Sequence, residues 1–503
     1  MKLPRIQFGL ETEYGITSDA PGEVDVVAES IALVRSVTAP GIAFRWDYDC
    51  EDPHLDMRGF RVRELRQDTD EADYSSQDAQ RDLSYFEIKS DIVLGNGGRL
   101  YNDHTHPEYC TPECSSPEQL MVHDRAGERI LMACARQLSQ ERGSAIRLYK
   151  NNTDLRGHSY GCHENYLIPR ALGWDKLVQA ITAFLVTRQV YAGSGKFAIE
   201  AEDQLVSHGF QISQRSDFFT ELQSVDTMQR RPLINTRDEP HADPEQWRRF
   251  HVIIGDSNMT PFATWLKVGA TALVLEAISI APSAAYPRLA DPLKAVRSIS
   301  HDPSFKWEVR LGGRRASTAI AVQRAYLALV REFCDLSSPA RATLTSEWEK
   351  ALTDLEADWM RCRNRLDWPA KLAMVREFQA QQHLADDDPW LLSLDLEYHR
   401  LDLADGLYYA LEQAGGMVGV PEETEVRAAM EHPPATTRAA IRGKCIQRFG
   451  QAILSAQWDH VTLQGSRGPV RLSLMDLFDP AEIRRLSLAV DAAQSPDDLR
   501  SVA

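Results

Sequence analysis

Two glutamates spaced two residues apart constrain this chain more than any other feature of its sequence. The segment GLETEYG alternates as a β-strand does, so Glu11 and Glu13 project from one face while Thr12 and Tyr14 project from the other. Two neighbouring carboxylates repel each other unless a cation or solvent relieves the repulsion. The pattern therefore indicates either a solvated strand face or a site for a hard cation such as Mg²⁺, which prefers oxygen ligands.

A second segment repeats this arrangement. In GGRLYNDHTHPEY, Arg99, Tyr101 and Asp103 lie on one face of a strand, and His106 and Glu108 follow directly. So many polar side chains on one side of a segment are costly to bury in a hydrophobic core. We predict that this face forms the floor of an active site, because the combination favours it, although any one of these residues alone is more often a structural, hydrogen-bonded side chain.

The periodicity of the remaining chain predicts an α+β fold. Residues 5–17 and about 92–104 alternate as strands, whereas 23–36 has the apolar spacing of a helix. Short strands alternate with helices between 145 and 265, and helix dominates from 319 to 384. Both elements within one chain, without a repeat period, predict a mixed architecture and not a solenoid or barrel.

One proline pair and one charged segment organise the chain. The Pro-Pro step near 433 predicts a boundary between a large domain, 1–432, and a small C-terminal domain, 433–503. The segment 58–90 is charged, contains no proline and fits no regular pattern. Long segments of this kind are lids, binding loops or disordered linkers. We predict that this insertion controls access to the active site.

Net charge and cysteine spacing limit the partners and the compartment. The 503 residues include 56 Lys+Arg and 73 Asp+Glu, a formal net charge of −17, which argues against nucleic acid or an anionic membrane as the main partner. Eight scattered cysteines form no C-x-x-C pair, and the apolar stretch 270–281 contains Glu276 and is shorter than a membrane span. We expect a cytoplasmic protein.

Two arginines follow predicted strands in polar surroundings. Arg215 in SQRSD and Arg237 in INTRDEPHAD suit a polyphosphate, because guanidinium groups bind phosphate oxygens bidentately. Surface ion pairs are the alternative interpretation. The spacing of His104 and His106 also leaves open a metal-dependent amidohydrolase site.

Several motifs in fixed order resemble a known family. G-x-E-T-E-Y-G, N-G-x-R-L-Y-x-D-x-x-H-P-E-Y, K-N-N-T-D, S-Y-G-x-H-E-N-Y, I-N-T-R-D-E-P-H-A-D and G-D-S-N occur between residues 9 and 258. Together they resemble the enzymes that attach and remove the prokaryotic ubiquitin-like protein Pup, a branch of the glutamine-synthetase-like carboxylate–amine ligases. The resemblance continues through LDWPAK at 366–371 to the segment around Trp458. It implies a curved antiparallel β-sheet cradle backed by helices, plus a small C-terminal domain.

The resemblance also implies roles for individual residues. Asp103 matches the family's catalytic aspartate, which acts either as a nucleophile or as a base. The implied cofactors are ATP, as a bound nucleotide that is not consumed, and Mg²⁺. The implied ATP contacts are Arg99, Thr111, Arg215, Arg237 and Trp458, and the implied Mg²⁺ ligands are Glu11, Glu13, Tyr101, Glu108, His163 and His251.

The family contains a ligase branch and a deamidase/depupylase branch. Residues 44–60 and the insertion after them resemble a loop of the depupylases, so we predict hydrolysis of the C-terminal Gln amide of Pup and of Pup–lysine isopeptide bonds. The residues around Thr111 and the motif K-N-N-T-D are more similar to the ligases, so a Pup–protein ligase remains an alternative function. A non-catalytic protein that binds the modifier is a further alternative. The implied partners are Pup, pupylated proteins and the proteasomal ATPase system.

Overall fold

A seven-stranded antiparallel sheet is the central element of the protein. The computed structural model describes residues 6–22, 24–38, 42–43, 46–49, 51–65, 79, 81–201, 204–227, 230–282 and 285–502. The strands follow one another across the sheet in the order Trp247–Val252 (β15), Cys162–Pro169 (β10), Phe8–Glu13 (β1), His106–Cys110 (β8), Arg99–Asp103 (β7), Ile92–Leu94 (β6) and Ile42–Ala43 (β3). Its neighbours are antiparallel at every step. The described strands are Phe8–Glu13 (β1), Gly15–Ser18 (β2), Ile42–Ala43 (β3), Leu55–Asp56 (β4), Phe60–Arg61 (β5), Ile92–Leu94 (β6), Arg99–Asp103 (β7), His106–Cys110 (β8), Ile146–Tyr149 (β9), Cys162–Pro169 (β10), Lys196–Ala201 (β11), Gln204–Gln211 (β12), Phe219–Ser224 (β13), Arg231–Asn235 (β14), Trp247–Val252 (β15), Glu308–Arg310 (β16), Ala316–Thr318 (β17), Ile453–Gln457 (β18), His460–Gly465 (β19) and Gly468–Ser473 (β20).

Helices pack against one face of this sheet. Leu10, Tyr166 and Phe250 project from adjacent strands into the largest hydrophobic core, where they join helical residues such as Phe184 and Leu266. The opposite face carries the alternate residues of the same strands, which include the polar side chains of Glu11, Glu13, His163, Asn165, Arg249 and His251. The described α-helices are Val26–Arg35, Tyr85–Lys89, Pro117–Arg142, Trp174–Thr187, Gln189–Ala192, Pro261–Ile280, Pro292–Ser300, Ala319–Phe333, Pro339–Ala357, Asp367–Gln382, Pro389–Tyr398, Leu407–Gln413, Glu423–Glu431, Ala439–Phe449 and Pro480–Ala492.

Two sequence-predicted strands each divide into two. The segment 92–104 forms β6 and β7, because Gly97 adopts a φ of 80° and the Asn96 side chain accepts a hydrogen bond from Gly98 N at 2.9 Å, which closes a tight turn. The segment 5–17 forms β1 and β2, which pair with different partners on either side of Tyr14. The alternation of side chains was predicted correctly, but the turns were not.

The apolar segment near residue 270 belongs to a longer helix than the sequence suggested. Pro261–Ile280 spans 20 residues and is apolar enough to cross a membrane by length and composition alone. However, 78% of its apolar stretch is buried inside the protein, as is usual for a core helix.

The C-terminal residues have a hydrophobic core of their own. The three-stranded sheet β18-β19-β20 packs with the helices Ala439–Phe449 and Pro480–Ala492. Trp46 and Val93 from the N-terminal part of the chain also join this core. We keep residue 433 as a proposed domain boundary, with the two units in close contact across it.

Part of the charged insertion has defined structure. A short helix, Tyr85–Lys89, begins with a capping box in which Ser84 and Glu87 bond each other's backbone N–H groups. The sequence pattern did not predict this helix. Residues 66–78 and 80, to which the predicted control of access also refers, lie outside the described residues.

Glu113 connects the sheet to the C-terminal unit. Its carboxylate accepts hydrogen bonds from Arg438 at 2.6 Å and from Arg442, whose guanidinium is fully buried. Burial would raise the pKa of Glu113, but the two arginines hold it at about 2. The ion pairs therefore stabilise the fold above the unfolded-state pKa, and this contribution is lost as the pH falls toward 2.

We expect Glu113→Gln to lower the free energy of unfolding by about 3 kcal/mol, because it leaves a buried arginine without its charge partner. Urea denaturation at neutral pH measures the change. Glu349→Gln is the control, since both partners of its ion pair with Arg331 are exposed and such a pair is worth less than about 1 kcal/mol. Equal effects of the two substitutions would show that Glu113 is not a structural link.

Candidate active site

The polar face of the sheet forms the floor of a cavity of about 880 Å³. Antiparallel register brings its side chains together: Glu11 lies opposite His163, and Glu13 and Tyr101 both lie opposite Glu108. Ten of the twelve residues predicted from the sequence line this cavity, namely Glu11, Glu13, Arg99, Tyr101, Asp103, Glu108, His163, Arg215, Arg237 and His251.

Glu11, His163 and His251 form the first candidate metal group. The ligand atoms of all three lie within 4.8 Å of one another. Glu11 Oε2 is 3.4 Å from His163 Nδ1 and 3.6 Å from His251 Nε2. Burial opposes ionisation of Glu11, but the hydrogen bond from His163 and the charge of Arg249 hold its pKa below the usual range. Burial lowers the pKa of His251, which favours the neutral imidazole that a metal requires.

Glu13, Asp103 and Glu108 form the second candidate metal group. Their ligand oxygens also lie within 4.8 Å of one another. Burial raises the pKa of Glu108 well above its usual value, and the charges of Asp103, Glu11 and Glu13 add to that effect. A divalent cation would relieve this repulsion. Three carboxylates fit Mg²⁺, whereas the imidazoles of the first group would equally suit a transition metal.

Asp103 has a lysine partner that the sequence motifs did not reveal. Lys89 Nζ donates a hydrogen bond to Asp103 Oδ1 at 2.7 Å. His104 Nε2 is 3.9 Å from the same oxygen. Burial would raise the pKa of Asp103, but Lys89 and His104 outweigh it and hold the pKa below its usual range. Asp103 is therefore a carboxylate at neutral pH, with Oδ1 already bound.

Two arginines line the cavity without an ion-pair partner among the described residues. Arg215 donates to Ser159 Oγ at 3.2 Å and to backbone carbonyls, and Arg237 donates to Val225 O and to Thr227 Oγ1, both at 3.2 Å. Burial lowers the pKa of each guanidinium. A positive charge that is desolvated and bonded only to neutral acceptors favours an anionic ligand.

Arg99 is fixed in a different way. Its guanidinium pairs with Asp91 at 2.6 Å and lies between two aromatic rings, 4.1 Å from the centroid of Trp46 and 3.8 Å from that of Tyr101. It also donates to Tyr48 Oη at 2.9 Å. Arg99 therefore orients Tyr101 beside the carboxylates, and its predicted contact with ATP stays a prediction.

Thr111 and Trp458 lie apart from the other predicted residues. Both line a second, smaller cavity of about 80 Å³, which shares Glu11 with the large one. Thr111 Oγ1 accepts a hydrogen bond from Leu10 N at 3.0 Å, and Arg442 lies 4.8 Å from the centroid of the Trp458 ring. The predicted nucleotide contacts thus divide between two adjacent cavities.

Sequence reasoning missed three further residues of the site. Lys89 lies in the segment without periodicity. Arg231, which also lines the cavity, lies in β14 just before the I-N-T-R-D motif and was not part of it. A Cβ atom at Gly161 would collide with Glu13 Oε1 and His163 Nε2, so a glycine is needed where these two side chains meet. The motif S-Y-G-x-H-E-N-Y contained this last signal.

The chain belongs to the Pup-ligase protein family, whose model matches residues 5–462. This confirms the family that the sequence motifs indicated.

Curated relatives include both branches of the family. A depupylase of Acidothermus cellulolyticus is 41% identical over 90% of each chain, and a Pup deamidase/depupylase of Mycobacterium tuberculosis is 39% identical over 97% of each. A Pup–protein ligase of Sanguibacter keddieii is 37% identical over 91% of this chain and 92% of its own. The family is therefore one of enzymes that act on Pup.

Solved structures agree with the predicted fold class. The ligase PafA in complex with Pup matches 99% of this chain and 94% of its own, with a TM-score of 0.78 at 28% identity. PafA in complex with ADP matches 86% and 95%, with a TM-score of 0.72 at 30% identity. The predicted α+β, glutamine-synthetase-like fold is confirmed.

Proposed function

We propose that the protein hydrolyses amide bonds at the C-terminal residue of Pup: the side-chain amide of a terminal Gln, and the isopeptide bond to a substrate lysine. The observation that carries this proposal is the position of the Asp103 carboxylate, which lies beside Glu13 and Glu108 at the floor of a large cavity. A fixed carboxylate next to a cation site is suited to attack on a polarised carbonyl.

Two features favour the hydrolase over the ligase. The depupylases of Acidothermus cellulolyticus and Mycobacterium tuberculosis combine 41% and 39% identity with coverage of 90% and 97% of this chain, whereas the Pup–protein ligase of Kribbella flavida is 41% identical over 74% of it and the Sanguibacter ligase is 37% identical over 91%. The segment 44–90, which resembles the depupylase loop, also contributes Lys89 to the site. The ligase stays the second candidate, because PafA has the same fold.

In the proposed reaction, Asp103 attacks the side-chain carbonyl carbon. The C–N bond breaks, the leaving nitrogen takes a proton and departs as ammonia or as the lysine amine, and an anhydride joins Asp103 to the modifier. Water then opens the anhydride and regenerates the aspartate. The alternative role of Asp103 is that of a base that activates the attacking water.

The residues present fit a nucleotide and Mg²⁺. Glu13 and Glu108 would hold a cation next to Asp103, and Glu11 with its two histidines would hold a second one. Arg215 and Arg237 would bind phosphates, and Thr111 and Trp458 would contact another part of the nucleotide. PafA, which has the same fold, has been solved in complex with ADP. When bound, the cations would neutralise phosphate charge and polarise the carbonyl.

The proposed setting is the cytoplasm, with pupylated proteins as substrates and the proteasomal ATPase system as a neighbour in the pathway. Seven described cysteines are free, and six of them are buried, as a reducing compartment allows. The net charge of −17 means that attraction to a modifier of acidic character has to be local.

A single preparation tests hydrolase against ligase. Purified protein with ATP and Mg²⁺ is given a Gln-ended modifier, a Pup–protein conjugate, or a Glu-ended modifier plus a lysine-bearing protein. Mass spectrometry should find deamidation and cleavage in the first two mixtures. Conjugate accumulating in the third mixture, with no hydrolysis in the others, would establish the ligase instead.

Removal of divalent cations should lower hydrolysis by about 100-fold or more, because carbonyl polarisation by a metal contributes several kcal/mol. Initial rates after treatment with a chelator, and again after addition of Mg²⁺ or Mn²⁺, measure the effect. An undiminished rate of hydrolysis in excess chelator would show that the reaction needs no divalent cation.

A further inference from the structure

Lys89 places a lysine ammonium directly against the proposed nucleophile. Its Nζ lies 2.7 Å from Asp103 Oδ1 and 5.6 Å from the centroid of the Tyr101 ring. The side chain is 16% exposed and lines the large cavity. An ammonium group beside a carboxylate and above an aromatic face occupies a binding environment suited to an alkylammonium ion.

The backbone around Lys89 is anchored independently of this ion pair. Arg35 donates a hydrogen bond to Glu87 O at 2.9 Å, and Asn102 donates one to Ile88 O at 3.1 Å. The helix end is thus fixed from both sides, whereas the four-methylene arm of Lys89 is held at its tip. Lysine side chains are flexible, so the arm can leave the carboxylate without moving the helix.

An isopeptide substrate brings a second lysine arm to the same place. Its scissile nitrogen is the ε-nitrogen of a lysine, an uncharged amide before cleavage and an ammonium group after it, on an arm with the same four methylenes as Lys89. For Asp103 to attack the adjoining carbonyl, this nitrogen has to lie within a few ångströms of the carboxylate. Two lysine arms cannot occupy that volume together.

We propose that Asp103 and Tyr101 form a subsite for the lysine side chain of the modified protein, and that Lys89 occupies this subsite in the free enzyme. This inference rests on the proposed hydrolase function. Because Lys89 competes with the substrate lysine, the apparent association constant for a conjugate equals the intrinsic constant multiplied by the fraction of molecules in which the subsite is free. A Gln-ended modifier brings no lysine arm, so its binding is reduced less.

The test compares two substrates in the variant Lys89→Met, whose side chain lacks the charge that holds Lys89 against Asp103 and therefore leaves the subsite free. We expect the KM for a Pup–protein conjugate to fall about fivefold to tenfold relative to the KM for a Gln-ended modifier. A ratio that changes by less than about twofold would overturn the inference. So would a parallel fall in kcat for both substrates, since Lys89 would then serve Asp103 itself.

A free alkylamine provides a second test with opposite expected signs. In Lys89→Ala, n-butylamine should inhibit conjugate cleavage competitively, because it enters the vacated subsite. Restoration of lost activity by the amine would show that an ammonium assists Asp103, and would contradict the inference. Lys444→Met is the matched control, since Lys444 also pairs with an aspartate, Asp491, outside the cavity.

The outcomes separate this inference from the function on which it rests. Wild-type protein that cleaves neither substrate would refute the proposed hydrolase. Wild-type protein that cleaves both, together with an unchanged KM ratio in Lys89→Met, would refute only the lysine subsite.

Discussion

Asp103→Asn should lower hydrolysis of both substrates by about 10⁴-fold while nucleotide binding is largely retained, because loss of a nucleophile commonly costs that much or more. The amide has nearly the same shape as the carboxylate but cannot form the anhydride. Loss of the carboxylate also leaves Lys89 without the charge partner that Asp103 provides. The anchored helix should keep the Lys89 side chain nearby. Single-turnover rates on a conjugate, with nucleotide affinity measured by titration calorimetry, give the two readouts.

The control for this substitution is Asp491→Asn, which removes a carboxylate from another lysine–aspartate pair. It should leave turnover within about twofold of wild type, as expected for a surface ion pair. Turnover by Asp103→Asn at more than a few per cent of the wild-type rate would exclude Asp103 as the nucleophile.

Arg237→Met should weaken nucleotide binding by about 10- to 100-fold, the usual range for one lost charge-assisted hydrogen bond to phosphate. Arg237 is bonded only to neutral acceptors among the described residues, so its removal leaves no carboxylate without a partner. The loss should therefore appear in affinity more than in stability. Binding of a fluorescent ATP analogue, together with a thermal melt, distinguishes the two.

Arg170→Met provides the comparison for Arg237. Arg170 lies near the same sheet, but its guanidinium pairs with Asp238 at 2.7 Å and does not line the large cavity. We expect unchanged nucleotide affinity in this variant. Equal affinity losses in the two variants would mean that net charge, and not a phosphate contact, determines binding.

The sequence predicted the polar face of the sheet because strand alternation is a local property. The spacing of Glu11 and Glu13 is enough to place both carboxylates on one face, and the same holds for Arg99, Tyr101 and Asp103. The order of the strands is not local. It depends on which strands pair, and it is this pairing that brings His163 beside Glu11.

Two features of the site could not be predicted because they depend on tertiary contacts. Lys89 acts through a contact with Asp103 that depends on a short capped helix in a segment without periodicity. Thr111 was predicted as a nucleotide contact, yet its hydroxyl is turned toward the backbone of Leu10 and a separate small cavity. Tertiary contacts of this kind leave no periodic signal in the sequence.

The ratio of isopeptide bonds cleaved to ATP molecules hydrolysed tests the proposed hydrolase function most directly. Purified protein is incubated with a Pup–protein conjugate and a limiting amount of ATP, and ADP and free modifier are quantified together. We expect many isopeptide bonds to be cleaved for each ADP formed, and cleavage to continue when a non-hydrolysable ATP analogue replaces ATP. One ADP formed for each new Pup–lysine bond, with no cleavage of the conjugate, would contradict the proposed hydrolase function.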